Sequence, residues 1–141
     1  MNAIVVGTDG SPGAEAAVRR TIELAQGSGA TINLVCAYPG KSALERIGMT
    51  ARQERVDLRG VAADVLARDE RRFSEAGFGV EKHVREGDPA NVIIDVSNET
   101  DADLIVVGAR GETGLRRFML GSVSGKLAHH ATRSLLIVRD D

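Results

Sequence analysis

Short apolar blocks alternate with amphipathic stretches along the whole 141-residue chain. That alternation restricts the fold more than any other property of the sequence. Residues 3–8 form a β-branched block that Asp9-Gly10-Ser11-Pro12 closes with helix-start chemistry. Ser11 offers a capping hydroxyl, and Pro12 takes the first helical position, where no N–H is required. Ala14, Ala17, Val18, Thr21, Leu24 and Ala25 then recur at helical spacing and predict one inward stripe. Gly27-Ser28-Gly29 end this helix. Residues 31–38 form a second strand whose Ile32, Leu34, Val35 and Cys36 make it apolar on both faces, as in a strand buried between two layers. Residues 39–55 carry a weak pattern and read as a long connection with room for a helical turn. A long helix over 56–76 turns Leu58, Ala62, Val65, Leu66 and Phe73 inward and its many Arg, Asp and Glu residues to solvent.

Gly77-Phe78-Gly79 lead into residues 80–85, a more polar strand suited to a sheet edge. Asp88 and Pro89 mark the start of a third helix, with Val92, Ile93 and Val96 on its inner face. Residues 103–109 are the most apolar strand of all, through Leu104-Ile105-Val106-Val107. A fourth helix over 121–131 places Val123, Leu127 and Ala128 inward, and residues 134–139 form a fifth strand. Strand and helix alternate throughout one domain, residues 1–141, which predicts right-handed crossovers and a parallel sheet covered on both faces. The expected class is a doubly wound five-stranded α/β sheet of order 3-2-1-4-5. Its ligand crevice opens above the C-terminal ends of strands 1 and 4.

Composition narrows the function. With 18 Lys+Arg against 20 Asp+Glu the net charge is −2 and no basic block occurs, which argues against a nucleic-acid binder held by phosphate neutralisation. Tyr38, Phe73, Phe78 and Phe118 are the only aromatics, too few for a base-stacking platform. No apolar run approaches the ~18 residues of a membrane span. The first residues lack the basic segment of a signal peptide, and the single Cys36 permits no internal disulfide. The expectation is a soluble cytoplasmic protein with neither nucleic-acid nor membrane partners.

At the predicted crevice, strand 1 ends in Gly7-Thr8-Asp9-Gly10-Ser11 and strand 4 in Gly108-Ala109-Arg110-Gly111. Glycines at 108 and 111 allow close approach of a ligand and positive φ. Gly121-Ser122 at a helix start present unpaired N–H groups, the positive end of the helix dipole and a hydroxyl, a combination suited to a phosphate chain. Arg110 could add charge-assisted bonds. The Walker pattern fails, because Gly121 to Leu127 has one spacer too few and Leu127 where a hydroxyl is needed. The G-x-G-x-x-G fingerprint is missing after strand 1.

The spacing Gly108-x2-Gly111-x9-Gly121-Ser122 resembles the G-x2-G-x9-G-[ST] motif of the nucleotide-binding branch of the universal stress protein family. The opening Val6-Gly7-Thr8-Asp9-Gly10-Ser11 and the closing Ser134-Leu135-Leu136-Ile137-Val138-Arg139 are similar to that family as well, so the resemblance spans nearly the whole chain. It implies an adenine nucleotide alpha hydrolase-like fold and ATP as ligand, carrying a divalent cation such as Mg on its phosphates. Adenine would lie beside Ala37. Gly7 and Asp9, flanking Thr8, would face the ribose or the cation, and Val107 would lie beneath the nucleotide. Gly108, Gly111, Gly121, Ser122, Val123 and Ser124 would surround the phosphates. The family usually has a Pro-rich segment before the last strand, where this chain has Thr132-Arg133-Ser134, and the position of Arg110 varies.

Structural readings stand beside these. The glycines could simply turn the chain and pack the fourth helix, Asp9 could bind its own loop amides, and Ser122 could be an ordinary N-cap. His129-His130 are adjacent and cannot chelate as an i, i+4 pair would. His83 lacks a second ligand nearby, Cys36 reads as an inert buried thiol, and Arg116-Arg117 as solvated. No nucleophile–base pair is recognisable, which predicts binding with at most slow hydrolysis. Strand 5 is uncharged and β-prone at a sheet edge, so a homodimer joined through residues 134–139 is expected. The functional expectation is a dimeric stress-response regulator or sensor. The alternatives are a nucleotide-independent adaptor for a protein partner and a binder that prefers cyclic AMP.

Overall fold

The computed structural model describes residues 1–46, 48, 57–110 and 120–140. Five strands, β1 (Ala3–Gly7), β2 (Thr31–Tyr38), β3 (Val80–Glu86), β4 (Leu104–Gly108) and β5 (Ser134–Val138), form one sheet of order β3-β2-β1-β4-β5. All four pairings are parallel. Helices α1 (Pro12–Ala25), α2 (Lys41–Arg46), α3 (Leu58–Glu75), α4 (Pro89–Glu99) and α5 (Ser122–His130) make the connections. The predicted class and strand order are those observed.

The period of two in the strands divides the core. Ile4 and Val6 of β1 and Val106 of β4 face the layer formed by α1 and α3, where Val18, Leu66 and Phe73 are buried. Val5, Ile105 and Val107 face the opposite layer with Val96 of α4 and Leu127 of α5. At the predicted edge, β3 is the outermost strand. On it, His83 meets the buried Asn33 of β2, with Nε2 3.0 Å from Oδ1. Burial, then the charge of Arg85, lowers the affinity of His83 for a proton.

Several details differ from the expectations. The connection after β2 contains α2, anchored by the buried Leu44; residues 47 and 49–55 lie outside the described residues. The long helix begins at Leu58, because Asp57 caps it by accepting from Gly60 N at 2.9 Å. Leu24 is 55% exposed, and Ala128 also faces solvent, its inward place in α5 taken by Ser124 and Leu127. The expectation that the charged residues of the long helix are solvated fails at Asp69, which is 1% exposed. Residues 62, 66, 69 and 73 share one helical stripe, and Asp69 occupies its third position among apolar neighbours.

The unusual turn before β5 is held by a side chain. Arg133 Nη1 donates to Asp101 Oδ1 at 2.7 Å and to the Ala102 carbonyl at 3.3 Å, which ties the start of β5 to the α4–β4 turn. Asp101 there has φ of 50°, left-handed backbone that a turn imposes on few non-glycine residues. At the same end of the sheet, Asp103 Oδ2 accepts from the amides of Asn2 and Ala3.

Candidate functional site

A cleft of about 250 Å³ opens where the strand order reverses, above the C-terminal ends of β1 and β4. Of the twelve predicted site residues, Gly7, Thr8, Asp9, Ala37, Val107, Gly108, Arg110, Gly121, Ser122, Val123 and Ser124 all line it. Gly111 lies outside the described residues, as do Arg116, Arg117 and most of the segment between it and Gly121. Sequence reasoning missed Ala14, Val35, Pro89 and Ile93 in the lining, and gave no ligand-binding role to Ser11 and Ala109, which it placed at the crevice. The signal for Pro89 and Ile93 was available, since a helix that starts at Asp88-Pro89 begins at the same end of the sheet.

The two ends of the cleft differ in chemistry. Val35, Ala37, Pro89, Ile93 and Val107 make one part apolar. At the other end α5 begins, and its start is unlike those of the other long helices. Ser11 Oγ caps α1 by accepting from Ala14 N, and the carboxylates of Asp57 and Asp88 cap α3 and α4. The N-cap of α5 is Gly121, which has no side chain to offer. Ser122 is therefore the first helical residue and not the cap.

Gly121 N donates to the Ala109 carbonyl at 2.7 Å, and Ser124 Oγ donates to the same oxygen at 2.8 Å. These bonds fix the start of α5 against the end of β4, and the first-turn amides have no side-chain acceptor among the described residues. Ser124 thus contributes by placing the backbone, its hydroxyl being turned into the protein with 1% exposure.

The glycines at the strand ends have packing roles that the sequence reading assigned to ligand approach. Gly108 has no positive φ; a Cβ there would stand 2.6 Å from the Gly13 carbonyl carbon and oxygen. Gly13 in turn lies against the Arg110 carbonyl, which a side chain would overlap. A Cβ on Gly7 would meet Ile93 Cδ1 at 2.5 Å. These contacts draw α1 and α4 onto the strand ends and so set the width of the cleft.

Arg110 reaches the lining, but its Nη2 donates to Asp140 Oδ1 at 2.6 Å. That bond holds the Asp140 carboxyl below the usual carboxylate range. At the rim, Lys126 Nζ lies 3.1 Å from Asp88 Oδ2. Burial disfavours the charged form of Asp88, but the Asn91 amide and Lys126 outweigh it, and its affinity for a proton is lowered. Asp9 is the one carboxylate of the lining among the described residues; its Oδ1 accepts from Ser11 N at 2.9 Å, so its loop role and its place in the cleft coexist. No group of three metal-ligating side chains occurs among the described residues. His129 and His130 are exposed at the end of α5. Cys36 packs on the sheet face opposite the α4 and α5 layer, and no helix among the described residues is long and apolar enough to cross a membrane.

The molecule is thus a doubly wound α/β protein with its cleft at the topological switch point, apolar at one end and lined by helix-start amides at the other. Residues 1–139 match the family model for the universal stress protein family. A universal stress protein of Mycobacterium tuberculosis is 31% identical over 138 residues, covering 96% of this chain and 94% of its own. A universal stress protein crystallised in complex with cAMP superposes with a TM-score of 0.73 at 27% identity, covering 99% of this chain and 98% of its own. One from Archaeoglobus fulgidus in complex with dAMP superposes at 0.72 and 24% identity, with 98% of each chain covered. The chain belongs to the universal stress protein family, as the spaced glycines implied.

Proposed function

We propose that this protein binds ATP in the switch-point cleft and acts as a nucleotide-responsive regulator. The observation that carries the reading is the start of α5, whose amides have no side-chain acceptor among the described residues and lie at the end of the cleft away from its apolar part. Such a helix start attracts phosphate through both hydrogen bonds and the helix dipole. In this reading Ala37, Pro89 and Ile93 contact the adenine, and Asp9 accepts from the ribose. Val107 lies beneath the nucleotide, and Gly108, Gly111 and residues 121–124 surround its phosphates. A Mg ion would be carried by the phosphates themselves, with water completing its shell. In this reading hydrolysis is slow at most, since the lining residues described offer no nucleophile–base pair. The relatives crystallised with cAMP and dAMP support adenylate recognition in this family, and the first makes cyclic AMP the second candidate ligand.

Calorimetric titration of nucleotide-stripped protein with ATP, ADP, AMP and cyclic AMP tests this. ATP at 100 times its dissociation constant should also raise the unfolding free energy by about 2.7 kcal/mol. Ser122 is exposed, so Ser122→Glu should fold normally while placing a negative charge on the cradle. A loss of ATP affinity of about tenfold or more is expected, roughly one charge-assisted hydrogen bond. Unchanged affinity would refute the phosphate assignment.

The protein further acts as a cytoplasmic homodimer joined through β5 in this reading, and a sequence with a single cysteine is compatible with a reducing compartment. The support is that β5 is an edge strand with Leu135, Leu136 and Ile137 only partly buried and no charge along its length. Ile137→Lys should sediment as a monomer, and an intact dimer would exclude this edge.

A further inference from the structure

Asp69 is the most anomalous residue outside the cleft lining. It stands in an apolar stripe of α3 and is buried to 1% exposure, a position that Leu or Ala would fill without leaving a polar atom unmatched. Its Oδ1 has no hydrogen-bond partner among the described residues, and Arg68 Nε lies 3.6 Å away. Burying a carboxylate so incompletely is expensive, so stability alone does not account for it. Its other oxygen explains the placement. Thr8 Oγ1 donates to Asp69 Oδ2 at 2.8 Å, and the same hydroxyl oxygen accepts from Gly10 N at 3.2 Å.

A hydroxyl has one proton to give, and Asp69 fixes where it goes. The lone pairs of Thr8 then face Gly10, the amide of which is drawn into the turn around Asp9. Arg68 Nη2 adds a weaker bond to the Gly10 carbonyl at 3.4 Å. Gly10 itself has φ of 79° and sits against Val65 of α3, so this turn is shaped from behind by one helix. We infer that Asp69 is a positioning residue: through Thr8 and Gly10 it presents the Asp9 carboxylate to the ribose hydroxyls of an adenylate. This rests on the functional reading above and adds to it a determinant of ribose selectivity that lies outside the cleft.

The test compares AMP with 2′,3′-dideoxy-AMP, which lacks the hydroxyls Asp9 would accept from. The wild type should prefer AMP. Asp69→Ala and Thr8→Val should each weaken AMP by about tenfold, the size of one hydrogen bond, and Asp69→Ala, outside the lining, should leave the dideoxy ligand nearly unchanged. The double variant should be no worse than either single one. Asp69→Asn keeps an oxygen for the Thr8 hydroxyl and should keep the preference whichever way its melting temperature moves. That separates positioning from stability. Preference for AMP that survives Asp69→Ala and Thr8→Val, additive losses, or a wild type indifferent to the two ligands would overturn the inference.

Amide hydrogen exchange of ligand-free protein supplies a second readout. Gly10 should exchange about tenfold faster in Asp69→Ala than in wild type, and an unchanged rate overturns the inference whatever the ligand data. A wild type that binds no adenylate at all refutes the functional reading instead, and the exchange result then decides the role of Asp69 alone.

Discussion

Replacing Gly108 with alanine should destabilise the protein, although β4 is a strand in which alanine is ordinarily tolerated better than glycine. The added Cβ would lie 2.6 Å from two backbone atoms of Gly13, and backbone has no rotamer with which to yield. Relief requires α1 to lift from β4, and overpacking of this kind typically costs about 1–3 kcal/mol. Gly125 provides the opposite case. It is inside α5, and nothing among the described residues lies within 4 Å of a Cβ built there. Gly125→Ala should therefore gain about 0.5–1 kcal/mol from backbone entropy alone. Unfolding entropy near 2.1 cal/mol/K per residue, taken over 141 residues, is about 0.3 kcal/mol/K. The melting temperature should then drop by about 3–10 °C for Gly108→Ala and rise by about 2–3 °C for Gly125→Ala. Thermal melts read these shifts, and urea denaturation of the two variants with the wild type reads the free energies, with an unchanged slope expected for each. Equal stability of Gly108→Ala and the wild type would refute the claim that close approach of α1, and not ligand access, requires that glycine.

Two further outcomes follow from the opposite end of the sheet. The amides of Ala3 and Asn2 hold the Asp103 carboxyl below its ordinary range. A carboxyl with a depressed folded value adds stability above about pH 4, lost as pH falls from there through the folded value. Asp103→Asn should flatten this acid limb in urea denaturation from pH 7 to pH 3, and superimposable curves would remove Asp103 from the account. Arg133→Ala should lower the melting temperature by about 3 °C, corresponding to roughly 1 kcal/mol for its bonds to Asp101 and Ala102, and leave ATP affinity as it was. A lowered affinity would show that the turn before β5 communicates with the cleft.

The architecture was legible because each element carries its own local pattern. The β-branched run of β1, the two-sided apolar character of β2 and β4, and the Asp88-Pro89 helix start need no distant partner to be read. The cleft was legible for a related reason: once the strand order is known, the residues after β1 and β4 must meet. What the sequence concealed depends on contacts between distant segments. Asp69 looks like any acidic residue of an amphipathic helix until Thr8, 61 positions away, is placed against it. Gly13 reads as an unremarkable first-turn residue because the carbonyl it accommodates belongs to Arg110. Arg110 itself looked available to phosphate until Asp140 came within 2.6 Å. Leu24 and Ala128 fit an apolar stripe in projection, but a 3.6-residue helix drifts, and the outer margin of the stripe emerges from the core.

The order of pairing in the sheet has a consequence for the chain as it leaves the ribosome. Ile4, Val5 and Val6 find β2 within about thirty residues, but their other neighbour is Leu104-Ile105-Val106. Until roughly a hundred residues have emerged, the first strand therefore exposes a bare apolar margin, the kind of surface on which nascent chains aggregate or recruit chaperones. Docking of β4 covers that margin and brings the second wall of the cleft to the first. Protection of that margin and completion of the cleft, which awaits the start of α5, thus both come late in translation.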